Sequence, residues 1–142
     1  MLDPRSEWVV NIDGASRGNP GAAASAVVIK AADGAPVASF AKRLGKTTNN
    51  FAEYQALLAA LEYALEHGQR RVRVRSDSEL LVRQITGQYK VKSGVLKPLH
   101  HRARHMISQL DTFSISHIPR ERNREADRLA NEALDGQGPV SA

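Results

Sequence analysis

No cysteine occurs among the 142 residues. Disulfide scaffolds, thiolate zinc sites and cysteine nucleophiles are therefore excluded. Long apolar runs are absent too. The longest, Ala22 to Ile29, is interrupted by Ser25 and is far too short to cross a bilayer. The opening Met1-Leu2-Asp3-Pro4-Arg5-Ser6-Glu7 has no cationic head followed by an apolar stretch, so no secretory leader is expected. Internal repeats and low-complexity blocks are missing as well. These absences make a cytoplasmic protein, with no membrane partner, the expectation.

What is present suits one globular domain: 42% hydrophobic and 25% charged residues in a chain long enough to bury a real core. A domain over 1–134 is expected, with 135–142 a disordered tail rich in glycine. Lys and Arg total 20 against 15 acids, a net charge of +5. The excess is concentrated. Between Arg70 and His105 stand ten Lys/Arg and only two acids, Asp77 and Glu79. Such a stretch is either a solvated cationic face or a surface for a polyanion.

Periodicity predicts an α/β domain. Glu7 to Asp13 alternates, with Trp8, Val10 and Ile12 on one face and Val9, Asn11 and Asp13 on the other, which predicts a strand. Gly14 to Gly21 reads as a turn-rich connection. Ala23 to Lys30 and Val37 to Leu44 complete an antiparallel meander. Phe51 to His67 carries a helical apolar stripe, with Asn49 or Asn50 as its cap and Gly68 as its stop. Arg71 to Asp77 predicts a fourth strand, Ser78 to Thr86 a short helix, and Leu96 to Leu110 a helix open to a kink at Pro98. Thr112 to Ile118 predicts a fifth strand, and Asn123 to Leu134 a closing helix. Crossover helices after a meander imply a mixed five-stranded sheet, three strands antiparallel and then parallel ones, flanked by helices. His117 shares a face with Phe113 and Ile115 and reads as a core histidine. The cluster His100, His101, Arg102, Arg104 and His105 reads as a solvated helix face.

Four carboxylates fall where this layout would converge them. Asp13 lies near the end of the first strand, and Asp77 closes the fourth. Ligand sites in such sheets form at strand carboxyl ends where connections diverge. Glu53, in the first turn of its helix, flanks the apolar stripe and leans toward the sheet. Asp127 lies in the first turn of the last helix. Each has an ordinary explanation alone: helix-dipole partner for Glu53 and Asp127, N-cap pair for Asp77-Ser78, turn for Asp13-Gly14. Together they are costly, because one unscreened pair at ~4 Å costs about 4 kcal/mol at an effective dielectric near 20. Divalent cations relieve that cost, and all-oxygen ligands select Mg²⁺ or Mn²⁺ over zinc. Two such ions about 4 Å apart clamp the attacking and leaving oxygens of a displacement at phosphorus.

Four stretches, in this order, resemble the type 1 ribonuclease H family: Asp13-Gly-Ala-Ser-Arg-Gly-Asn-Pro-Gly21, Thr48-Asn-Asn-Phe-Ala-Glu-Tyr54, Ser76-Asp77-Ser78 and Asn123-Arg-Glu-Ala-Asp-Arg-Leu-Ala130. The match runs from about Trp8 to Leu134 and suits the shorter form that lacks a Trp-rich basic protrusion; Tyr89, Lys90, Lys92 and Lys97 occupy that region. The resemblance implies a ribonuclease H-like fold. It implies metal-dependent endonucleolytic hydrolysis of the RNA strand of RNA/DNA hybrids, leaving 5′-phosphate and 3′-hydroxyl ends. Metal ligands and catalytic residues map to Asp13, Glu53, Asp77 and Asp127, with Mg²⁺ the expected ion and Mn²⁺ an alternative. Asn19, Asn49 and Asn50 match positions that contact the hybrid, where amides can bond a 2′-hydroxyl. Ser16 and Ser78 stand beside catalytic positions. The segment from His117 to Arg124 is short and lacks the loop histidine of many bacterial members. Arg120 or Arg122 is expected to contact the scissile phosphate or the departing product instead. Glu79 stands where a neutral amide is common. Double-stranded RNA is a further candidate partner, and no obligate protein partner is evident. A non-catalytic binder of hybrid or double-stranded RNA, and a same-fold nuclease for RNA duplexes or branched DNA, are the alternatives.

Overall fold

The alternation that starts at Trp8 runs further than the sequence pattern suggests. In the computed structural model, which describes residues 6–136, it continues through Asp13 to the hairpin. The elements are β1 (Trp8–Gly18), β2 (Gly21–Ala31), β3 (Pro36–Thr47), α1 (Asn49–Glu66), β4 (Arg71–Ser76), α2 (Glu79–Ile85), α3 (Leu96–Ile107), β5 (Thr112–His117) and α4 (Arg124–Leu134), with a 3-10 turn at Arg120–Arg122. The expected connection over Gly14 to Gly21 is therefore mostly strand. The β1 ladder to β2 holds from Trp8↔Ala31 to Gly18↔Gly21, and Gly18 turns the hairpin with a φ of 100° that suits glycine.

Strand order is β3-β2-β1-β4-β5. The β1–β2 and β2–β3 pairs are antiparallel, and β1–β4 and β4–β5 are parallel, as the meander and crossovers require. Two apolar layers cover opposite faces. Val10, Ile12, Val27, Ile29, Val72 and Val74 pack against Leu57, Leu58 and Leu61 of α1. On the other face Ala24, Ala26, Val28 and Ala41 meet Ala126, Leu129, Ala130 and Ala133 of α4. Short alanine methyls let α4 lie close to β1–β3. Among the described residues the β4–β5 part of that face carries no helix: Arg73, Arg75, Ser114 and Ser116 are exposed there.

Several local expectations change. Thr48, not Asn49 or Asn50, caps α1, with its hydroxyl accepting from the Phe51 amide at 3.2 Å. Pro98 falls in the first turn of α3, where its missing N–H breaks no interior bond. His117 is exposed rather than a core histidine, because β5 ends at the sheet edge there. His101, Arg102, Arg104 and His105 are exposed, whereas His100 is half-buried with Nε2 3.2 Å from the Gln84 carbonyl. Of the tail expected over 135–142, Asp135 caps α4 and pairs with Arg17 at 2.8 Å, so it belongs to the folded part; residues 137–142 lie outside the described residues. Among the described residues no helix is long and apolar enough to cross a membrane.

Candidate active site

The last rung of the β1–β4 ladder is Ile12↔Ser76. The next residue on each strand is an aspartate, so the parallel register sets Asp13 beside Asp77. Asp13 lies within β1, which continues alone toward β2 after β4 has ended. Asn11 and Asp13 alternate with Ile12 and Gly14, which face α1. A Cβ on Gly14 would stand 2.4 Å from the Glu53 nitrogen and 2.5 Å from the Ala52 carbonyl carbon. Glycine is therefore what lets α1 touch β1, and the contact delivers Glu53.

Ligand oxygens of Asp13, Glu53 and Asp77 lie within 4.8 Å of one another. Asp13 and Glu53 are 4% and 2% exposed, while Asp77 is half-buried. Asp127, on the first turn of α4, completes the wall of a cleft of about 340 Å³ that also includes Ser16, Asn49, Arg120 and Asn131. Burial, then the charges of Glu53, Asp77 and Asp127, and then a hydrogen bond with Asp127 push the Asp13 carboxyl up to about 9. Burial also raises Glu53, to about 8, against the opposing pull of the Gly14 amide donating to it. Among the described residues the only cation on the cleft wall is Arg120, whose Nη2 stands 3.9 Å from Asp127 Oδ1.

This arrangement fits a hard divalent cation. Glu53 Oε2 is buried and has no hydrogen-bond partner, a cost a metal ion would remove. All the converging donors are carboxylate oxygens, the set that suits such ions.

Asn123 is a functional residue the sequence reading passed over, treating it as the mere start of a helix. It is 1% exposed. Its side chain makes no cap; instead Nδ2 donates to the Ile12 carbonyl at 2.9 Å and to Asp77 Oδ2 at 3.4 Å, and Oδ1 accepts from Asn11 at 3.0 Å. One amide thus ties α4 to both aspartate-bearing strands. Its place at the head of the fourth family stretch, four residues before Asp127, is the signal the sequence offers. Asn131 was also missed: its Nδ2 donates to the Asp127 carbonyl at 2.9 Å and to Oδ1 at 3.3 Å.

The other expected contacts divide. Ser16 lines the cleft, with its hydroxyl bonded to the Thr47 and Gly18 carbonyls. Asn19 accepts from the Asn49 amide at 3.1 Å, leaving the Asn49 side chain in the cleft. Asn50 is half-buried in α1 and does not line the cleft. Ser78 caps α2 by accepting from the Leu81 amide at 3.2 Å and is likewise outside it. Arg120 enters the cleft; Arg122 lines a separate concavity on the α4 face. Glu79 is exposed and paired with Arg83 at 3.5 Å.

A family profile described as "Reverse transcriptase-like" matches residues 11–133. Ribonuclease HI of Halobacterium salinarum is 47% identical over 123 residues, covering 87% of this chain and 62% of that protein. A crystal structure of RNase H1 from the same organism superimposes with a TM-score of 0.88 at 45% identity, covering 92% of this chain and 98% of the other. A bifunctional protein of Mycobacterium tuberculosis is 41% identical over 135 residues, covering 94% of this chain. The chain thus spans 62% and 37% of the lengths of these two relatives. The crystal structure of LC11-RNase H1 in complex with RNA/DNA hybrid, from a compost metagenome, has a TM-score of 0.86 at 41% identity, covering 92% of this chain and 98% of that one.

Proposed function

The chain belongs to the type 1 ribonuclease H family, and on that premise we propose that it hydrolyses the RNA strand of RNA/DNA hybrids endonucleolytically. The convergence of Asp13, Glu53 and Asp77 within 4.8 Å carries the reading. A non-catalytic binder gains nothing from three buried or half-buried carboxylates beside a phosphate backbone. Two divalent cations held there, Mg²⁺ or in its place Mn²⁺, would supply charge neutralisation at phosphorus and activation of water for in-line attack.

The chain's own residues do the rest. Asp13, Glu53 and Asp77 would hold those ions at the sheet end, with Asp127 beside them on the cleft wall. Asn123 keeps Asp77 from rotating away, through the contact at 3.4 Å. Asn49, with its backbone pinned by Asn19, offers a free amide from the cleft wall toward the minor groove of the hybrid, where a 2′-hydroxyl separates RNA from DNA. Arg120 faces the anion that forms or departs at the cleft mouth. Products with 5′-phosphate and 3′-hydroxyl ends follow when water is the nucleophile and the 3′ oxygen leaves.

Support for the substrate comes from the hybrid-bound relative. The test is incubation of end-labelled RNA/DNA hybrid, RNA duplex, DNA duplex and four-way junction with the protein in Mg²⁺. Cleavage confined to the RNA strand of the hybrid is expected. An intact hybrid at stoichiometric protein, with tight binding retained, overturns the reading in favour of a binder; preferential cutting of RNA duplex or junction overturns the substrate.

A further inference from the structure

The face of β4 and β5 that α4 leaves bare has a regular chemistry. Arg73 and Arg75 project from it two residues apart, a spacing of about 6–7 Å along a strand. The parallel register places Ser114 beside Arg73 and Ser116 beside Arg75, all exposed. On the β1 side Asn11 adjoins Arg75. Arg75 and Asn11 also line an adjoining concavity of about 300 Å³, shared with Lys30, Glu125 and, from the 3-10 turn, Arg122; Arg73, Ser114 and Ser116 lie beside it on the bare face. Carboxylates neutralise only part of this charge. Glu7 pairs with Arg73 at 3.4 Å, and Glu125 pairs with Lys30 at 3.1 Å. Arg75 and Arg122 form no ion pair among the described residues.

The concavity touches the candidate active site at two points. The 3-10 turn carries Arg120 into the carboxylate cleft and Arg122 into this one. Asn11, in the wall here, donates to Asn123, which in turn donates to Asp77. We propose that this face binds the phosphate backbone of a single nucleic-acid strand running on from the cleft around the Arg120–Arg122 turn. The inference rests on the hydrolase reading above. Three features favour a strand's backbone over an acidic protein. Guanidinium and hydroxyl donors alternate in rows, which suits phosphate oxygens at successive positions. No aromatic side chain lies among these residues, so bases have nothing to stack on and the grip falls on the backbone. The bare strip from β1 to β5 is two strand spacings wide, about 10 Å, which admits one strand rather than a duplex.

The test compares a blunt RNA/DNA hybrid with the same hybrid carrying a ten-nucleotide RNA overhang at the 5′ or the 3′ end. Binding is read by fluorescence anisotropy in EDTA. The wild-type protein should bind one overhang form about fivefold tighter than blunt hybrid at low salt, the size expected of two exposed ionic contacts. Arg73→Thr/Arg75→Thr, which keeps β propensity, should abolish that preference and leave blunt affinity unchanged. It should also lower the salt slope for the overhang form by about 1.4, at ~0.7 per phosphate on a single strand. Arg75→Glu should reproduce the loss, and unchanged melting temperatures in both variants show the fold intact. Equal affinity for blunt and both overhang forms, or an undiminished preference in the variants, overturns the inference. So does polyglutamate binding this face of the wild type more tightly than single-stranded RNA of equal charge does, a preference lost in the variants, which would assign it to an acidic protein. Retained Mg²⁺-dependent cleavage of blunt hybrid in either case leaves the hydrolase reading standing; lost cleavage of every substrate by the wild type would instead remove that reading.

Discussion

Among the described residues Asp13 has the carboxyl most strongly opposed in its ionisation. Its carboxyl and that of Glu53 are raised from ordinary values of 3.8 and 4.5 to about 9 and about 8. A group whose folded value is raised favours folding while protonated, and that stability drains as pH climbs through the raised value. The metal-free protein should therefore lose melting temperature steadily from about pH 5 to pH 9. Calorimetry in EDTA checks this, and a flat profile contradicts it. Asp13→Asn keeps the shape and removes an ionisation that burial and the neighbouring carboxylates oppose in the folded protein. It should abolish cleavage, flatten the pH profile, and raise the metal-free melting temperature at pH 8 by roughly 3–5 °C, about 1 kcal/mol for a domain of this size. Gly14 makes the opposite prediction. Gly14→Ala forces a methyl to within 2.4 Å of the Glu53 nitrogen. Backbone has to move, at a cost of about 1–3 kcal/mol, and Glu53 moves with it. Urea unfolding should show the loss, and kcat should fall further than stability alone explains.

At the level of elements, α4 is held by small methyls and by one amide. Asn123→Ala leaves the Ile12 carbonyl without its donor and releases Asp77. A loss of about 1–3 kcal/mol is expected, with kcat reduced and KM for hybrid little changed; an unchanged kcat would mean Asn123 serves the fold alone. The elements themselves were largely legible. Strong alternation announced β4, whose Val72 and Val74 point inward and Arg73 and Arg75 outward, and the apolar stripe announced α1. Their ends were not. Gly14 through Gly18 look like a turn because two glycines and a serine fall within five residues, yet β2 pairs with them to the hairpin. Thr48 captures the cap because its hydroxyl stands three residues before an unsatisfied amide, a choice no pattern distinguishes from Asn49. The four acids were legible as a set through the family motifs. The role of Asn123 was not, because the motif it heads does not tell a buried amide that bridges to β1 from an ordinary helix cap. His117 misled because period-two alternation says which face a residue shares and not where the sheet stops.

Across the whole molecule, four of the fifteen acids gather at the sheet end, while Lys90, Lys92 and Lys97 stand apart from them around the α2–α3 connection. Hybrid binding should therefore respond to salt as a counterion-release process. About four phosphate contacts would cost roughly a hundredfold in affinity between 50 and 200 mM KCl. Anisotropy titrations measure the slope, and a salt-insensitive complex would mean the backbone is not what the protein holds. Mg²⁺ acts on the same balance from the other side. Bound only by the folded chain, it should raise melting temperature with concentration and cancel most of the pH drain.

The adjacency of Asp13 and Gly14 on β1 has one more consequence. Moving β1 along its neighbours by a single residue would drive the aspartate's Cβ into the spot where only glycine fits beneath α1, and would leave a bare glycine where the acid is required. The same step that silences the chemistry would also break the docking of the helix. A one-residue slip is thus never both well packed and inert, so cleavage of hybrid would report directly on that pairing.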